Sequence, residues 1–297
     1  MNFTSPLTRA AAYPAARVNR VELGLILAVA AFALLAALLP AQGLPAGYHD
    51  FVDQRAWGVL PRAMDVLSNL PFALMGGWLL WVTGQNRLQR LSILRNKLLN
   101  WKQINAAFNA QDGLMAVTGV GLLLTALCSS AYHLHPHDAG LCLDRLGMSV
   151  AFAGLLGLAA CERISARAGV ALCLVVAAAA PATALVAWQG NMTPWAVLQG
   201  AGLLVLAALA WRTPRPGALG FSIWVVIALY AVAKVLEMAD AAVFAWTQGV
   251  ISGHSAKHVV AALAIWPVVR AAQVQARGLK RDLDGAMSAA CNAFTIR

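Results

Sequence analysis

The chain of 297 residues is 60% hydrophobic and only 11% charged, whereas a soluble domain is roughly 45–50% apolar and about 25% charged. A soluble fold of this size could not bury so much apolar surface, and a disordered chain would be poor in apolar residues and rich in charge. The net charge of +10 does not indicate nucleic-acid binding, because no basic patch is interleaved with aromatic residues. The composition therefore predicts an all-α, polytopic membrane protein.

Eight segments of about 20 predominantly apolar residues follow one another along the chain, and this is the length that spans a bilayer as a helix. They cover 21–40, 64–83, 113–133, 143–161, 168–188, 195–211, 218–236 and 254–270. A polar, basic leader (1–20) precedes them and a tail (271–297) follows. We interpret the first apolar segment, 21–40, as a retained helix rather than a cleaved signal peptide. Its apolar run is longer than the ~7–15 residues of the apolar region in a typical signal peptide.

Lysine and arginine residues concentrate on one side of the alternating spans, and such an excess marks the cytoplasmic side of a membrane protein. Seventeen of the 22 fall in the leader, the tail and the three connections on the same side as both termini. The five others are Arg55, Arg62, Arg145, Lys234 and Lys257. The distribution predicts a multi-pass protein with both termini in the cytoplasm.

Ionisable residues in or beside the spans all fall at the outer ends of helices under this alternation. Such residues are costly in a membrane unless they are paired, bound to a ligand or hydrated, so each one indicates a functional site. They are Asp65, His133, Asp144, Glu237, Asp240, His254 and His258, and the outer loop 41–63 adds His49, Asp50 and Asp53. Their convergence on one layer predicts a site near the outer surface.

Histidine spacing within this layer indicates a metal site. His254 and His258 stand four residues apart on one helix face, so two imidazoles can share one ion. His133 lies at the same depth on another helix, one turn after Ser129, and Asp144 opens the next helix. Three histidines with an open fourth position are typical of a catalytic zinc ion. The alternative interpretation of the same residues is a set of structural histidines and interfacial acids that face water.

The same residues resemble the alkaline ceramidase family, which belongs to a wider group of seven-helix membrane hydrolases that includes the progestin and adiponectin receptors. The similarity lies in Ser129-x-x-x-His133, in Leu143-Asp144-x-x-x-Met148 and in His254-x-x-x-His258. Asp65-Val-Leu-Ser68-Asn69-Leu-Pro71-Phe72 resembles the first core helix of the family, and Tyr48-His-Asp-Phe-Val-Asp53-Gln-Arg55 resembles the preceding stretch in bacterial members. The resemblance covers about 48–270. It implies a seven-helix catalytic domain at 41–270 with one additional N-terminal helix at 21–40.

The resemblance also implies an activity and a set of roles. The substrate would be a ceramide-like lipid, an N-acylated long-chain base whose fatty acid is released by attack of zinc-bound water, and the site would face the outer leaflet of a bacterial inner membrane. The zinc ligands would be His133, His254 and His258, with Ser129 and Asp144 as the catalytic residues. Calcium is a further cofactor that the family implies, and its nearest matching residues are Asp50, Asp53 and Asp65.

Two other classes of function fit a polytopic protein with this polar layer. A lipid receptor or sensor would hold zinc for structure only, but a structural zinc ion takes four protein ligands and needs no base, so Ser129 and Asp144 favour the enzyme. A transporter or proton relay would need polar residues along the whole path, and the inner halves of the predicted spans carry almost none.

Overall fold

The computed structural model describes residues 18–96 and 109–295, and this part of the chain consists of helices and their connections without a strand. In chain order the helices are α1 (Arg20–Leu38), α2 (Ala63–Leu67), α3 (Leu70–Asn96), α4 (Ala110–Leu134), α5 (Asp138–Arg163), α6 (Ala166–Trp188), α7 (Thr193–Ala210), α8 (Ile223–Met238), α9 (Asp240–Trp246), α10 (Gly253–Leu263) and α11 (Trp266–Thr295). Most of the predicted leader, part of the long connection at 84–112 and residues 296–297 lie outside the described residues.

Seven of the described helical segments are long and apolar enough to cross a membrane, so the predicted all-α polytopic membrane protein is confirmed. They correspond to all the predicted spans except 218–236. That segment forms α8, whose 16 residues extend about 24 Å at 1.5 Å per residue, less than the ~30 Å of a hydrocarbon core. The seventh predicted span is therefore shorter than the sequence suggested, and α9 begins after a break of one residue.

Two helices are longer than the apolar pattern predicts. The predicted spans end at residues 83 and 270, whereas α3 continues to Asn96 and α11 to Thr295. The additional turns of α3 are rich in leucine, arginine and glutamine, and those of α11 are rich in alanine. All of these are good helix formers. They also have partners, because Arg90 of α3 donates hydrogen bonds to Asp112 of α4 and to Gln275 of α11. The helices therefore continue past the point where the apolar residues stop.

Helices α4, α5 and α6 pack against one another at the centre of the bundle, and small residues let their backbones approach closely. A Cβ atom at Gly121 of α4 would lie 2.1 Å from the backbone nitrogen of Ala151 in α5. Any larger residue there would push the two helices apart. This contact fixes how the ends of α4 and α5 that carry His133 and Asp144 face each other.

Helix α1 lies at the edge of the bundle against α7, with most of its surface exposed. Near its start, the Ser165 hydroxyl donates to Glu22 (2.7 Å), which also pairs with Arg167. Beyond its end, the Thr193 hydroxyl donates to the carbonyl of Pro40 (2.7 Å). Helix α1 is thus fastened at both ends to a bundle whose central packing does not include it.

Polar side chains are buried where α4 begins and α5 ends, at the end of the bundle that carries Arg90 and Arg163, here called the arginine end. Gln111 and Glu162 are at most 2% exposed, because α4 and α5 each extend a few residues beyond the predicted spans. The Glu162 carboxylate accepts hydrogen bonds from the Gln111 amide (3.0 Å) and from two backbone amides between α7 and α8 (2.8 and 2.9 Å). Gln111 and Glu162 lie just outside the predicted spans, so the expectation that the inner halves of those spans carry almost no polar residues does not concern them.

Candidate metal centre

Three buried histidines meet at the opposite end of the bundle, here called the histidine end. His133 lies in the last turn of α4, and His254 and His258 lie one turn apart at the start of α10. The Nε2 atoms of His133 and His254 are 3.2 Å apart, and one nitrogen of each ring lies within 4.8 Å of the others. The structure therefore brings together the three residues that the sequence predicts as zinc ligands.

The orientation of the His258 ring is set by Ser68, which lies between α2 and α3. The Ser68 hydroxyl donates to the carbonyl of Asp65 (3.0 Å) and lies 2.8 Å from Nδ1 of His258. Because its proton is already used, the hydroxyl accepts a hydrogen bond from a protonated Nδ1. This tautomer leaves the lone pair of Nε2 for a ligand, which is the usual arrangement around a metal-binding histidine.

The first turn of α10 is held by acidic and hydroxyl side chains, and this fixes His254 in place. The backbone N–H of His254 donates to Asp240 (2.8 Å), at the start of α9. The hydroxyl of Ser255 donates to Asp65 (2.7 Å), and its backbone N–H donates to the N-cap residue Ser252 (2.9 Å). Carboxylates near the first turn also interact favourably with the helix dipole. The turn that carries both histidines is therefore rigidly supported.

Asp144 and Ser129 stand beside the histidines, as the sequence predicts. Ser129 lies one turn before His133 on α4, Asp144 lies in the second turn of α5, and both side chains line the same cavity as the histidines. The Oδ1 atom of Asp144 is buried and has no hydrogen-bond partner among the described residues. A buried polar atom without a partner is unusual in a native fold and points to a group that binds there.

The loop between α1 and α2 covers the histidines. The Phe51 ring lies 4.7 Å from the His133 ring and 4.4 Å from the His254 ring, measured between centroids. Nearby, His49 contacts the Tyr132 hydroxyl (2.8 Å) and the Asp138 carboxylate (2.9 Å). The sequence analysis gave no role to Phe51, since nothing in a lone phenylalanine of a loop indicates what it will contact.

The three acids that the resemblance suggested for calcium differ in their burial and in their partners. Asp53 is buried and receives two hydrogen bonds from the Arg55 guanidinium (2.8 and 2.6 Å), which hold the pKa of its carboxyl below the usual range. Asp65 is buried against the serines at the start of α10, and Asp50 is exposed. Within residues 18–96 and 109–295, the three histidines are the one group of metal-binding side chains that converges. Calcium binding stays a prediction, because calcium also takes carbonyl and water oxygens as ligands.

Charged residues that the sequence analysis had used only to assign the cytoplasmic side also line the site. Lys257 pairs with Glu237 (2.9 Å), and Lys234 pairs with the same carboxylate from one turn earlier on α8. The i, i+3 spacing of Lys234 and Glu237 was a local signal of this pair. The contact with Lys257, which lies on another helix, had no such signal.

A cavity of about 520 Å³ extends from the histidines into the bundle. Its ionisable lining residues lie at the histidine end, and the lining further along the helices is mainly apolar. The wall along α5 runs from Asp144 to Leu155, a distance of about 16 Å at 1.5 Å per residue. The apolar lining comes from several helices and includes Phe72, Leu122, Met148, Phe152, Leu155, Trp195, Leu203, Leu206, Val226 and Ile265. The shape and lining suit a long apolar chain with a polar group near the histidines.

No family model, no curated protein and no solved structure matches the chain. The resemblance to alkaline ceramidases therefore rests on the residues named above, and the interpretation of the site rests on its own chemistry.

Proposed function

We propose that the protein is a zinc-dependent lipid amide hydrolase that acts within the membrane, and that its substrate is an N-acylated long-chain base of the ceramide type. The observation that carries this proposal is the position of three buried imidazoles and a carboxyl oxygen without a partner among the described residues, all on the wall of one largely apolar cavity. The combination supplies ligands, a proton acceptor and space for an acyl chain in one place.

The three histidines fit a zinc ion. Two nitrogens bound to tetrahedral zinc at about 2.05 Å lie roughly 3.3 Å apart, and those of His133 and His254 are 3.2 Å apart. Ser68 orients His258 for the same purpose. When bound, zinc supplies a Lewis acid that polarises a carbonyl group and lowers the pKa of a water molecule to ~7.

Asp144 is assigned the proton transfers. Its free oxygen can accept a proton from the attacking water, and the same carboxyl can then donate that proton to the nitrogen of the departing amine. Ser129 lies one turn before His133 on the wall of the same cavity. Its hydroxyl is assigned to donate to the oxygen of the scissile carbonyl as that oxygen gains charge.

Substrate selection follows from the walls of the cavity. The apolar lining aligns an acyl chain through van der Waals contacts, which are individually small and collectively large. A soluble amide has nothing to fill that volume. An amide with a long chain therefore gains binding free energy that a short one lacks, and we expect activity to increase with acyl length until the cavity is filled.

Metal analysis combined with lipid turnover tests the proposal. Purified wild-type protein should contain one zinc ion and release fatty acid from a panel of ceramides. Each of the variants should lose the zinc ion and the activity together, because two imidazoles rarely retain the ion; the variants are His133→Ala, His254→Ala and His258→Ala. His135→Ala is the matched control, since His135 is exposed and outside the cluster. Absence of stoichiometric divalent metal from the wild type would refute the proposal.

The side of the membrane is a further part of the proposal. The 17 basic residues on one side favour cytoplasmic termini and a site that takes lipid from the outer leaflet. A cysteine at 189–194, in a background without native cysteines, should react with a membrane-impermeant thiol reagent in intact cells, and one at 213–217 should be protected. The reverse labelling pattern would place the site on the cytoplasmic side.

A further inference from the structure

Arg145 is a buried cation on the wall of the cavity. It follows Asp144 on α5 and is only 3% exposed, yet it lines the same cavity as the histidines. Its Nη2 atom is buried and has no hydrogen-bond partner among the described residues. Burial of a guanidinium within a membrane protein is costly unless an acceptor compensates for the lost water.

The neighbouring acids do not supply that acceptor. Asp144 is adjacent in the chain, but its own Oδ1 atom also lacks a partner, so the two atoms are not bonded to each other. Glu237 is already shared by Lys234 and Lys257. The guanidinium instead lies over the Trp195 ring of α7, with its carbon 5.6 Å from the ring centroid, and a cation in this position keeps N–H groups that can bind an acceptor.

We propose that Arg145 binds an anionic oxygen group of the lipid in the cavity, such as a phosphate, sulfonate or carboxylate. Arginine matches these groups because two parallel N–H donors bind two oxygens. The inference deepens the proposed function, since it adds an anionic group to the class of lipid that the site accepts. Two sources have this chemistry: the headgroup of the substrate and the carboxylate of the released fatty acid.

The position of Arg145 favours the headgroup. The carboxylate of a released acid arises at the scissile carbon, beside the histidines, whereas Arg145 packs against Trp195 of α7, a helix that carries none of the three histidines. A second polar group of the lipid, placed on the amine side of the amide, would reach this wall. The preferred substrate is accordingly an N-acylated lipid with an anionic headgroup.

Direct binding tests the proposal without turnover. The background is Asp144→Asn, and the probes are an N-acylated long-chain base with a phosphate headgroup, its neutral counterpart with the same chains, and the free fatty acid. Arg145→Gln should weaken binding of the phosphate lipid by about 10- to 100-fold, the effect expected when a hydrogen bond to a charged group is lost, without a comparable change for the neutral lipid. Arg163→Gln, a change on the same helix at the arginine end, should leave both affinities unaltered.

The possible outcomes distinguish the lipid headgroup from the fatty-acid carboxylate as the source of the anion. They also distinguish failure of the anion site from failure of the proposed hydrolase. A loss confined to the phosphate lipid supports the headgroup, and a loss confined to the fatty acid supports the carboxylate. Equal weakening of all three probes, or no preference of the Asp144→Asn protein for either anion over the neutral lipid, overturns the anion site. This last comparison needs no change at Arg145 and therefore holds even if Arg145→Gln misfolds. Anion binding that depends on Arg145 in a wild type without hydrolytic activity would refute the hydrolase and leave the anion site standing.

Discussion

Helix α5 carries an acidic residue with a buried carboxyl oxygen near each of its ends, and the two differ in what surrounds them. Glu162, at the arginine end, accepts hydrogen bonds from Gln111 and from the backbone amides of Leu219 and Gly220, and its side chain is fully buried. Asp144, at the histidine end, has one oxygen without a partner and lines a cavity. Each carboxyl has a buried oxygen, although Asp144 as a whole is half-buried. The supply of hydrogen-bond donors is what distinguishes the two sites.

The difference gives the two carboxyls different functions. A carboxylate whose oxygens are all engaged holds its donors in place and has no free lone pair for a reaction. Glu162 therefore fastens the α7–α8 connection to the bundle. A carboxyl with an unused oxygen beside a cavity can take up or release a proton, which is what Asp144 must do in the proposed reaction.

The largest expected effect comes from changing the acid at the histidine end. Asp144→Asn should lower kcat by ~10²–10⁴-fold, because the amide cannot accept the proton, while zinc content and unfolding temperature stay close to wild type. Steady-state turnover of a ceramide, normalised to zinc measured in the same sample, checks this. Wild-type turnover in the zinc-loaded variant would exclude the role assigned to Asp144.

The same chemical change at the arginine end should affect folding instead. Glu162→Gln places an amide N–H₂ against groups that are themselves donors, and each buried donor left without an acceptor costs ~1–3 kcal/mol. Thermal unfolding in detergent should therefore show a lower midpoint than for Asp144→Asn, which serves as the matched acid-to-amide control. Turnover per bound zinc should be unchanged, and a decrease as large as that in Asp144→Asn would remove the distinction between the two ends.

A smaller effect, on zinc affinity, is expected from a change at Ser68, which orients a histidine at the histidine end. Ser68→Ala removes the acceptor for Nδ1–H of His258, and loss of such a partner weakens metal binding by ~10–100-fold. Competition with a chelator of known affinity measures the change. Ser92→Ala is the control, since the Ser92 hydroxyl, among the described residues, donates to the Leu88 carbonyl of its own helix. Equal zinc affinity in wild type and Ser68→Ala would show that Ser68 does not orient the ligand.

The features that the sequence predicts are those with local or periodic signals. Apolar runs of the right length indicated the spans, and the four-residue spacing of His254 and His258 indicated a shared face of one helix. His133 could be added because the alternation of spans puts the end of its helix on the same side of the membrane. These inferences need only helix geometry and topology, which the amino-acid order contains directly.

The features that the sequence did not predict are contacts between distant segments. Ser68 meets His258 across 190 positions of the chain, and Glu162 meets the α7–α8 connection across more than 50. Arg145 was counted only as a basic residue on the outer side, because a single letter does not show whether a guanidinium faces water or a cavity. Such contacts depend on how the helices pack, and no spacing in one helix encodes them.

The position of Phe51 over the histidines has a kinetic consequence. The three rings are at most 7% exposed, and the phenyl ring lies against two of them, so from the side of the loop a chelator reaches an ion held there only after the loop moves. The other approach is through the cavity, whose lining includes the same histidines. Exchange of the ion with a chelator should therefore be slow, and a competition measurement has to be followed until it no longer changes.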